Sequence, residues 1–437
     1  MMRTIGTFTA AGAALLLAAC ASAAPPAASA PQPLSLVVTS PKAAFNPDAV
    51  GALEARMAAY VDEGRVKGIA TRLVREGEII SDTRAGIRRE TDGAPVTEDT
   101  IFRIYSMSKP VTGVALLQLW EEDAFELDDP ITKYFPEFES LQVFTGLDEA
   151  GVPVLVPATR PPTVQELMSH TAGFGYGLAP GNFVDDQFRA AEVLRAPDLD
   201  DLVRRVAAIP LKFQPGTTWE YSIGVDLQGA LIERLSGQTL GEFFRARLFA
   251  PLGMDSTGFH VPQAEYDRFS DVWGRDPETG ALGGAMTQPP FLFRADTITF
   301  EGGGHGLVST MDDYARFAGM LANDGELDGV RILKPETVAM MSTNVLADGQ
   351  YIWHNGTSND NRVGVGFGLD VGVILADDAA QPKGSFMWGG AAGTWFWVDP
   401  ANDLYFIGMI QVFGGALDQT MRTDSAALVY DAFEEVR

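Results

Sequence analysis

The chain holds one cysteine, Cys20, and four histidines in 437 residues. A single thiol cannot close an intrachain disulfide, so the fold must stand without that staple. Neither His-Glu-x-x-His nor a clustered Cys/His spacing occurs, so no catalytic metal is indicated and no cofactor is implied. Gly-x-Ser-x-Gly is also missing, which leaves an α/β-hydrolase triad without a nucleophile to build on. Positive charge is scarce: 32 Lys and Arg against 58 Asp and Glu give a formal net charge of −26. Such a surface repels a phosphate backbone, so nucleic acid is not an expected partner, and the charge serves solubility. No internal repeat is present. What remains, 46% apolar and 21% charged residues, is ordinary for a globular chain long enough to bury a large core.

The first residues read as an address rather than as part of the fold. Arg3 precedes an apolar stretch from Thr4 to Ala19 that is too short and too Ala-rich for a membrane span, the pattern of an export signal over residues 1–20. Leu17-Ala18-Ala19-Cys20 resembles a bacterial lipobox, in which the cysteine is lipidated and becomes the new N-terminus. A plain signal peptide cut after Ala21-Ser22-Ala23 is the competing reading. Residues 21–44, dominated by Ala, Pro and Ser, cannot bury enough surface to order themselves and read as a tether. The expectation is an exported protein, periplasmic or held at a membrane through lipidated Cys20.

A domain is expected over residues 45–437. Apolar residues at helical spacing fill Asn46 to Asp62, and Gly68 to Ile87 reads as two strands turning at Glu76-Gly77. At the far end Val363 to Ala376, Ser385 to Trp388, Thr394 to Trp397 and Leu404 to Val412 are rich in aromatic and β-branched residues and read as strands, followed by a closing helix from Leu417 to Val436. The middle carries helical starts, with capping-box spacing at Thr163/Glu166 and Thr239/Glu242. Strand-rich ends around a mostly helical middle imply an α/β (α+β) fold. Its antiparallel sheet is assembled from 45–105 and 360–437, with a helical part over about 106–359 packed beside it and the active site at the seam. Gly173 to Asn182 and Val261 to Gly304 read as loops or lids.

Three segments carry candidate chemistry. A short β-like run from Ile101 to Tyr105 leads into Ser106-Met107-Ser108-Lys109-Pro110 and then an apolar-periodic helix through Val111, Val114, Ala115, Leu117 and Leu119. Residues three apart share a helix face, so Ser106 and Lys109 can meet while Ser108 is turned away. A serine hydroxyl becomes a nucleophile when a neighbour takes its proton, and a lysine can serve. The first turn of a helix adds N–H groups that favour developing negative charge. Next, Tyr221 in Trp219-Glu220-Tyr221-Ser222-Ile223 stands at a helix entrance, either as a proton relay or as an aromatic staple on the helix. Last, Trp388-Gly389-Gly390-Ala391-Ala392-Gly393-Thr394 is a bare strand end, able to lay an acyl substrate alongside it or simply to bend tightly.

Together the three resemble the serine β-lactamase and penicillin-binding-protein superfamily, and within it the class C β-lactamase-like esterases called family VIII carboxylesterases. Leu167-Met168-Ser169-His170-Thr171-Ala172-Gly173, the Tyr-Ser-x-x-x-Asp run from Tyr221 to Asp226, and Gly302-Gly303-Gly304-His305-Gly306-Leu307 add to the likeness, which spans nearly all of the chain after the tether. The resemblance implies a β-lactamase/transpeptidase-like fold and a Ser106 acyl-enzyme. It also implies base and proton-shuttle work shared by Lys109 and Tyr221, an oxyanion hole from the backbone N–H groups of Ser106 and Ala391, and substrate contact along Trp388, Gly389 and Gly390. Two departures matter. Ile223 stands where penicillin-targeting members carry the Asn of Tyr-x-Asn, and Trp388-Gly389-Gly390 stands where they carry Lys-Thr-Gly, which removes a cation that would pair with a β-lactam carboxylate. A small uncharged ester is therefore the expected substrate, with a β-lactam, a D-amino-acid peptide, acyl transfer to an alcohol, and ligand binding without turnover as rivals. His170 and His305 read as loop-stabilising, and Phe174, Tyr176, Phe291, Phe293 and Trp353 are candidates for an acyl pocket.

Overall fold

Asn46 caps helix α1 (Pro47–Asp62) by accepting the Asp48 N–H at 2.9 Å. The hairpin of β1 (Gly68–Arg75) and β2 (Glu78–Gly86) follows, and it turns through Glu76 and Gly77 with φ of 50° and 75°, the left-handed pair that matches the twist of antiparallel strands. The chain then forms α2 (Ser108–Glu121), α3 (Gly224–Ser236) and α4 (Met311–Ala322). It returns in β3 (Val365–Phe367), β4 (Gly372–Ile374), β5 (Phe386–Gly389), β6 (Trp395–Asp399) and β7 (Leu404–Met409), and closes with α5 (Leu417–Glu434). These elements come from a computed structural model that describes residues 45–276, 278–287, 293, 300–352, 364–376, 380–414 and 417–434. Cys20, the leader and the tether, together with Phe291, Trp353 and Val363, lie outside the described residues.

The strands make one seven-stranded sheet in the order β3-β4-β5-β6-β7-β1-β2, antiparallel at every pairing. Both chain ends build it, as the distribution of strand-like runs predicts. One difference is local: the run read as a single strand from 363 to 376 is the hairpin β3–β4. The Gly368 N–H donates to the Val371 carbonyl at 2.8 Å, and Asp370 takes a left-handed φ of 62°. Gly368-Leu369-Asp370 makes the break inside a run that is otherwise apolar because both arms are largely buried.

Period-two alternation divides the central strands between two cores. Trp395, Trp397, Leu404 and Phe406 face α1 and α5, where they pack with Leu53, Met57, Tyr60, Met421 and Val429. Phe396, Val398, Tyr405, Ile407 and Met409 face the helical side and join its larger core. Buried Arg72 on β1 ties that second face together by bridging Asp82 of β2 and Asp312 of α4, at 2.5 Å to each.

On the helical side α2 is buried from Ser108 to Leu119 and packs on α3, which explains its apolar character all round. Both capping boxes form, Thr163 with Glu166 and Thr239 with Glu242. The middle also contains a hairpin, Gln142–Leu147 with Pro153–Pro157, whose residues are largely exposed and so lack the alternation that betrays a half-buried strand.

Candidate active site

Ser106 sits where strand turns into helix. Phe102–Arg103 pairs with Val308–Ser309, and a single 3₁₀ turn, Tyr105–Met107, then leads into α2. Tyr105 takes φ of 43°, in the left-handed region that costs a non-glycine residue of order 1 kcal/mol or more. Its ring is clamped edge-on by Phe293 at 5.6 Å and Phe413 at 5.1 Å, which holds the sharp reversal in place. Ser106 is partly exposed while its neighbours Tyr105, Met107 and Ser108 are buried, so the turn presents one hydroxyl outward. Ser108 is occupied elsewhere: its Oγ accepts the Leu307 N–H at 3.0 Å.

Tyr221 meets Ser106 directly, with its Oη donating to the Ser106 Oγ at 2.7 Å. Lys109 is fully buried and lies against the face of the Tyr221 ring, its Nζ 4.5 Å from the ring centre. The ammonium donates to the Gly304 carbonyl at 2.7 Å and to the Tyr176 Oη at 3.5 Å, not to Ser106. The predicted trio thus converges, with the phenol as the group in contact with the hydroxyl and the lysine behind it.

Beneath Lys109 lies a cluster that sequence spacing did not reveal. Tyr176 donates to the Asp226 Oδ2 at 3.2 Å, the Gly304 N–H donates to Oδ1 at 3.1 Å, and the His305 Nδ1 is 3.3 Å from the same oxygen. Burial opposes a charge on Asp226, yet His305, the Lys109 charge and the Gly304 N–H together hold its carboxyl below the usual carboxylate range. An ionised carboxylate therefore balances the buried lysine. Burial, then Asp226 and Tyr221, pushes the Tyr176 phenol well above its ordinary value, so Tyr176 stays a donor. The only sequence signals for this cluster were the Asp closing the Tyr-Ser-x-x-x-Asp run and the Gly-rich loop around His305.

His170 is fully buried, and burial followed by the Lys109 charge holds its imidazole well below the ordinary value, so the ring is neutral. Its Nδ1 accepts the Ser222 N–H at 3.2 Å, its carbonyl accepts the Glu220 N–H at 2.9 Å, and its ring packs on Tyr221 at 5.0 Å. The loop histidine thus pins both neighbours of Tyr221.

The strand end divides. Trp388 is buried and packs on Tyr221 at 5.8 Å and on Phe367 at 5.2 Å. A side chain on Gly390 would meet the Ile104 carbonyl oxygen at 2.3 Å, so this residue is bare because the strand runs against the nucleophile turn. Ala391 follows at the surface. Gly389 faces the other way: a Cβ there would strike the Arg422 guanidinium at 2.3 Å, so its bareness makes room for α5 rather than for a ligand. Of the acyl-pocket candidates, Phe174 packs in the core beside Phe138 at 5.4 Å, Phe293 supports Tyr105, and Tyr176 joins the Asp226 cluster.

The geometry has counterparts among known proteins. The family model described as Beta-lactamase matches residues 53–431. Esterase EstB of Burkholderia gladioli is 33% identical over 386 residues, covering 83% of this chain and 91% of its own. Lovastatin esterase of Penicillium rubens is 30% identical over 380 residues, covering 81% and 90%. Among solved structures, a mutant of simvastatin synthase from Aspergillus terreus superimposes with a TM-score of 0.75 at 25% identity, over 89% of this chain and 96% of that one.

Proposed function

The chain belongs to the beta-lactamase family, and from that premise we propose that it is a serine hydrolase cleaving small carboxylic esters through an acyl-enzyme on Ser106. The observation that carries the reading is the 2.7 Å contact between the Tyr221 Oη and the Ser106 Oγ, with the Lys109 ammonium against the same ring. Ser106 Oγ attacks the ester carbonyl and its proton passes to the phenol oxygen. The phenol takes this proton after passing its own to solvent, and the Lys109 charge offsets the negative charge held in between. The carbonyl oxygen becomes an oxyanion in front of the Ser106 and Ala391 N–H groups. The C–O bond to the alcohol then breaks, the departing oxygen takes the proton back from Tyr221, and water repeats the sequence on the acyl group.

Esterases related over most of the chain support this chemistry, and the absence of a cation at Trp388 and of an amide at Ile223 favours an uncharged ester over an anionic lactam. Acyl transfer to an alcohol other than water is a second reading, favoured by the likeness to simvastatin synthase. The proposal includes export, with Cys20 as a lipid anchor.

Ser106→Ala is expected to abolish turnover of p-nitrophenyl acetate and butyrate by purified protein, and unchanged turnover would refute the assignment. Intact-mass measurement after ester exposure distinguishes hydrolase from sensor: rapid return to the free mass marks turnover, and a persistent adduct marks a protein that only acylates.

A further inference from the structure

Tyr221 also forms part of the wall of a cavity of about 710 Å³, a volume suited to a drug-sized molecule rather than to an acetyl group. Leu178, Pro180, Phe213 and Trp219 supply apolar wall, and Leu178 is 61% exposed although it is a large aliphatic residue. Ser106, Trp388 and Ala391 are not among its described lining residues, and of the predicted catalytic trio Tyr221 is the member that borders it.

We propose that this cavity holds the alcohol portion of the ester and selects bulky uncharged alcohols over anionic ones, an inference that rests on the ester-hydrolase reading. When the acyl-enzyme forms, the bond from the carbonyl carbon to the alcohol oxygen breaks, the pair of electrons leaves with that oxygen, and the oxygen needs a proton. Tyr221 Oη is the group within reach of the Ser106 Oγ, so the departing oxygen lies next to the phenol. Its substituent therefore points toward the space that Tyr221 borders.

The polar part of the wall sets the charge preference. Lys212, the sole cation among the described lining residues, donates to the Asp185 Oδ2 at 2.9 Å and to Glu220. Asp185 also accepts the Tyr176 N–H at 3.1 Å and the Gly177 N–H at 2.7 Å, which fixes the loop that bears Leu178. Among the described lining residues two carboxylates stand against one ammonium. A carboxylate or phosphate on the alcohol would be repelled there, whereas a flat hydrocarbon would bury against Phe213 and Trp219.

Vinyl acetate, 2-naphthyl acetate and 6-carboxy-2-naphthyl acetate share one acetyl-enzyme, so differences in kcat/KM among them arise before the alcohol leaves. Wild type is expected to prefer the neutral naphthyl ester over its carboxylate by about tenfold or more. Glu220→Gln should narrow that preference about threefold, the size of a partly exposed charge interaction. Leu178→Trp, at an exposed position where the larger ring obstructs the mouth without disturbing the core, should lower the naphthyl-to-vinyl ratio by about tenfold or more. If Leu178→Trp instead lowers the ratio of vinyl octanoate to vinyl acetate, the cavity serves the acyl chain and the assignment is overturned. Unmoved ratios in both variants overturn it as well. If no ester is turned over by wild type, the hydrolase reading falls and takes this inference with it, whereas Ser106-dependent turnover with unmoved ratios sinks the cavity assignment alone.

Discussion

Tyr221 reaches Ser106 because the residues on either side of it are held by one buried histidine. Its own ring packs among His170, Tyr176 and Trp388, contacts that a phenylalanine would keep. Tyr221→Phe should therefore leave the melting temperature nearly unchanged while lowering kcat/KM for p-nitrophenyl butyrate by about 10²–10⁴. A loss below about tenfold would remove the phenol from the proton path and leave Lys109 as the base. Asp370 makes a different kind of prediction. Its carboxyl is fully buried next to Gly113 of α2 and accepts one hydrogen bond, from the Gln228 Nε2 at 3.1 Å. Burial pushes it well above the usual carboxylate range, against the opposing pull of Gln228 and Lys109. The folded protein then keeps a proton that the unfolded chain releases above its ordinary value of 3.8. Stability contributed by this group is complete below that value and is lost as pH rises toward the folded value. Asp370→Asn retains the hydrogen bond and cannot ionise. Its gain in melting temperature should be larger at pH 8 than at pH 4.5, and an equal gain at both would show that the carboxyl does not titrate as described.

At the scale of elements, two bare positions, one on β7 and one just past β5, serve different ends. Gly408 on β7 lies opposite Trp395 on β6, and a Cβ there would overlap the indole at 2.2 Å, so the missing side chain lets a ring lie across the sheet. Gly390 lies just past β5 against the Ile104 carbonyl, one residue before the turn that carries Ser106. Ala at either position overpacks, at a cost of about 1–3 kcal/mol. The two should part in activity: Gly390→Ala shifts the nucleophile turn against the strand and is expected to lower kcat about tenfold or more, since small misplacements of reacting groups are costly. Gly408→Ala should act mainly on the melting temperature, because Trp395 faces α5 and not the site. Equal effects on kcat would mean that the sheet transmits both changes to Ser106.

Across the whole molecule, the sheet closes the chain on itself. β1 pairs with β7, α1 packs on α5, and the Asn46 N–H donates to the Ala432 carbonyl at 3.2 Å, so the first and last described segments lie together. The Ser106 turn and the β5 end belong to opposite halves of the sequence and meet at the seam between sheet and helices. Residues 21–44 precede this body and would act as the spacer to a membrane if Cys20 is lipidated. Cys20→Ser in the full chain, expressed in a bacterium, is expected to move the protein from the membrane pellet to the soluble periplasmic fraction. Identical fractionation of both proteins would leave the plain signal peptide as the reading.

Local order was legible from residue types alone. The Ser106–Lys109 spacing, the helix after it, both capping boxes, the turn at Glu76-Gly77 and the aromatic and β-branched runs of β6 and β7 depend on neighbours within one or two turns, and that range is what a linear pattern records. The convergence of Tyr221 on Ser106 was expected only through resemblance to a family, because no periodicity connects positions so far apart. Tertiary structure alone decided that Lys109 bonds to Gly304, that the Asp226 carboxylate, itself contacted by His305, balances its charge, and that Gly389 makes space for Arg422 while Gly390 makes space for the nucleophile turn. Each of these rests on burial and on partners far away in the chain. A charge acquires its counter-charge, and a bare backbone its neighbour, only once the sheet has brought the two ends of the sequence together.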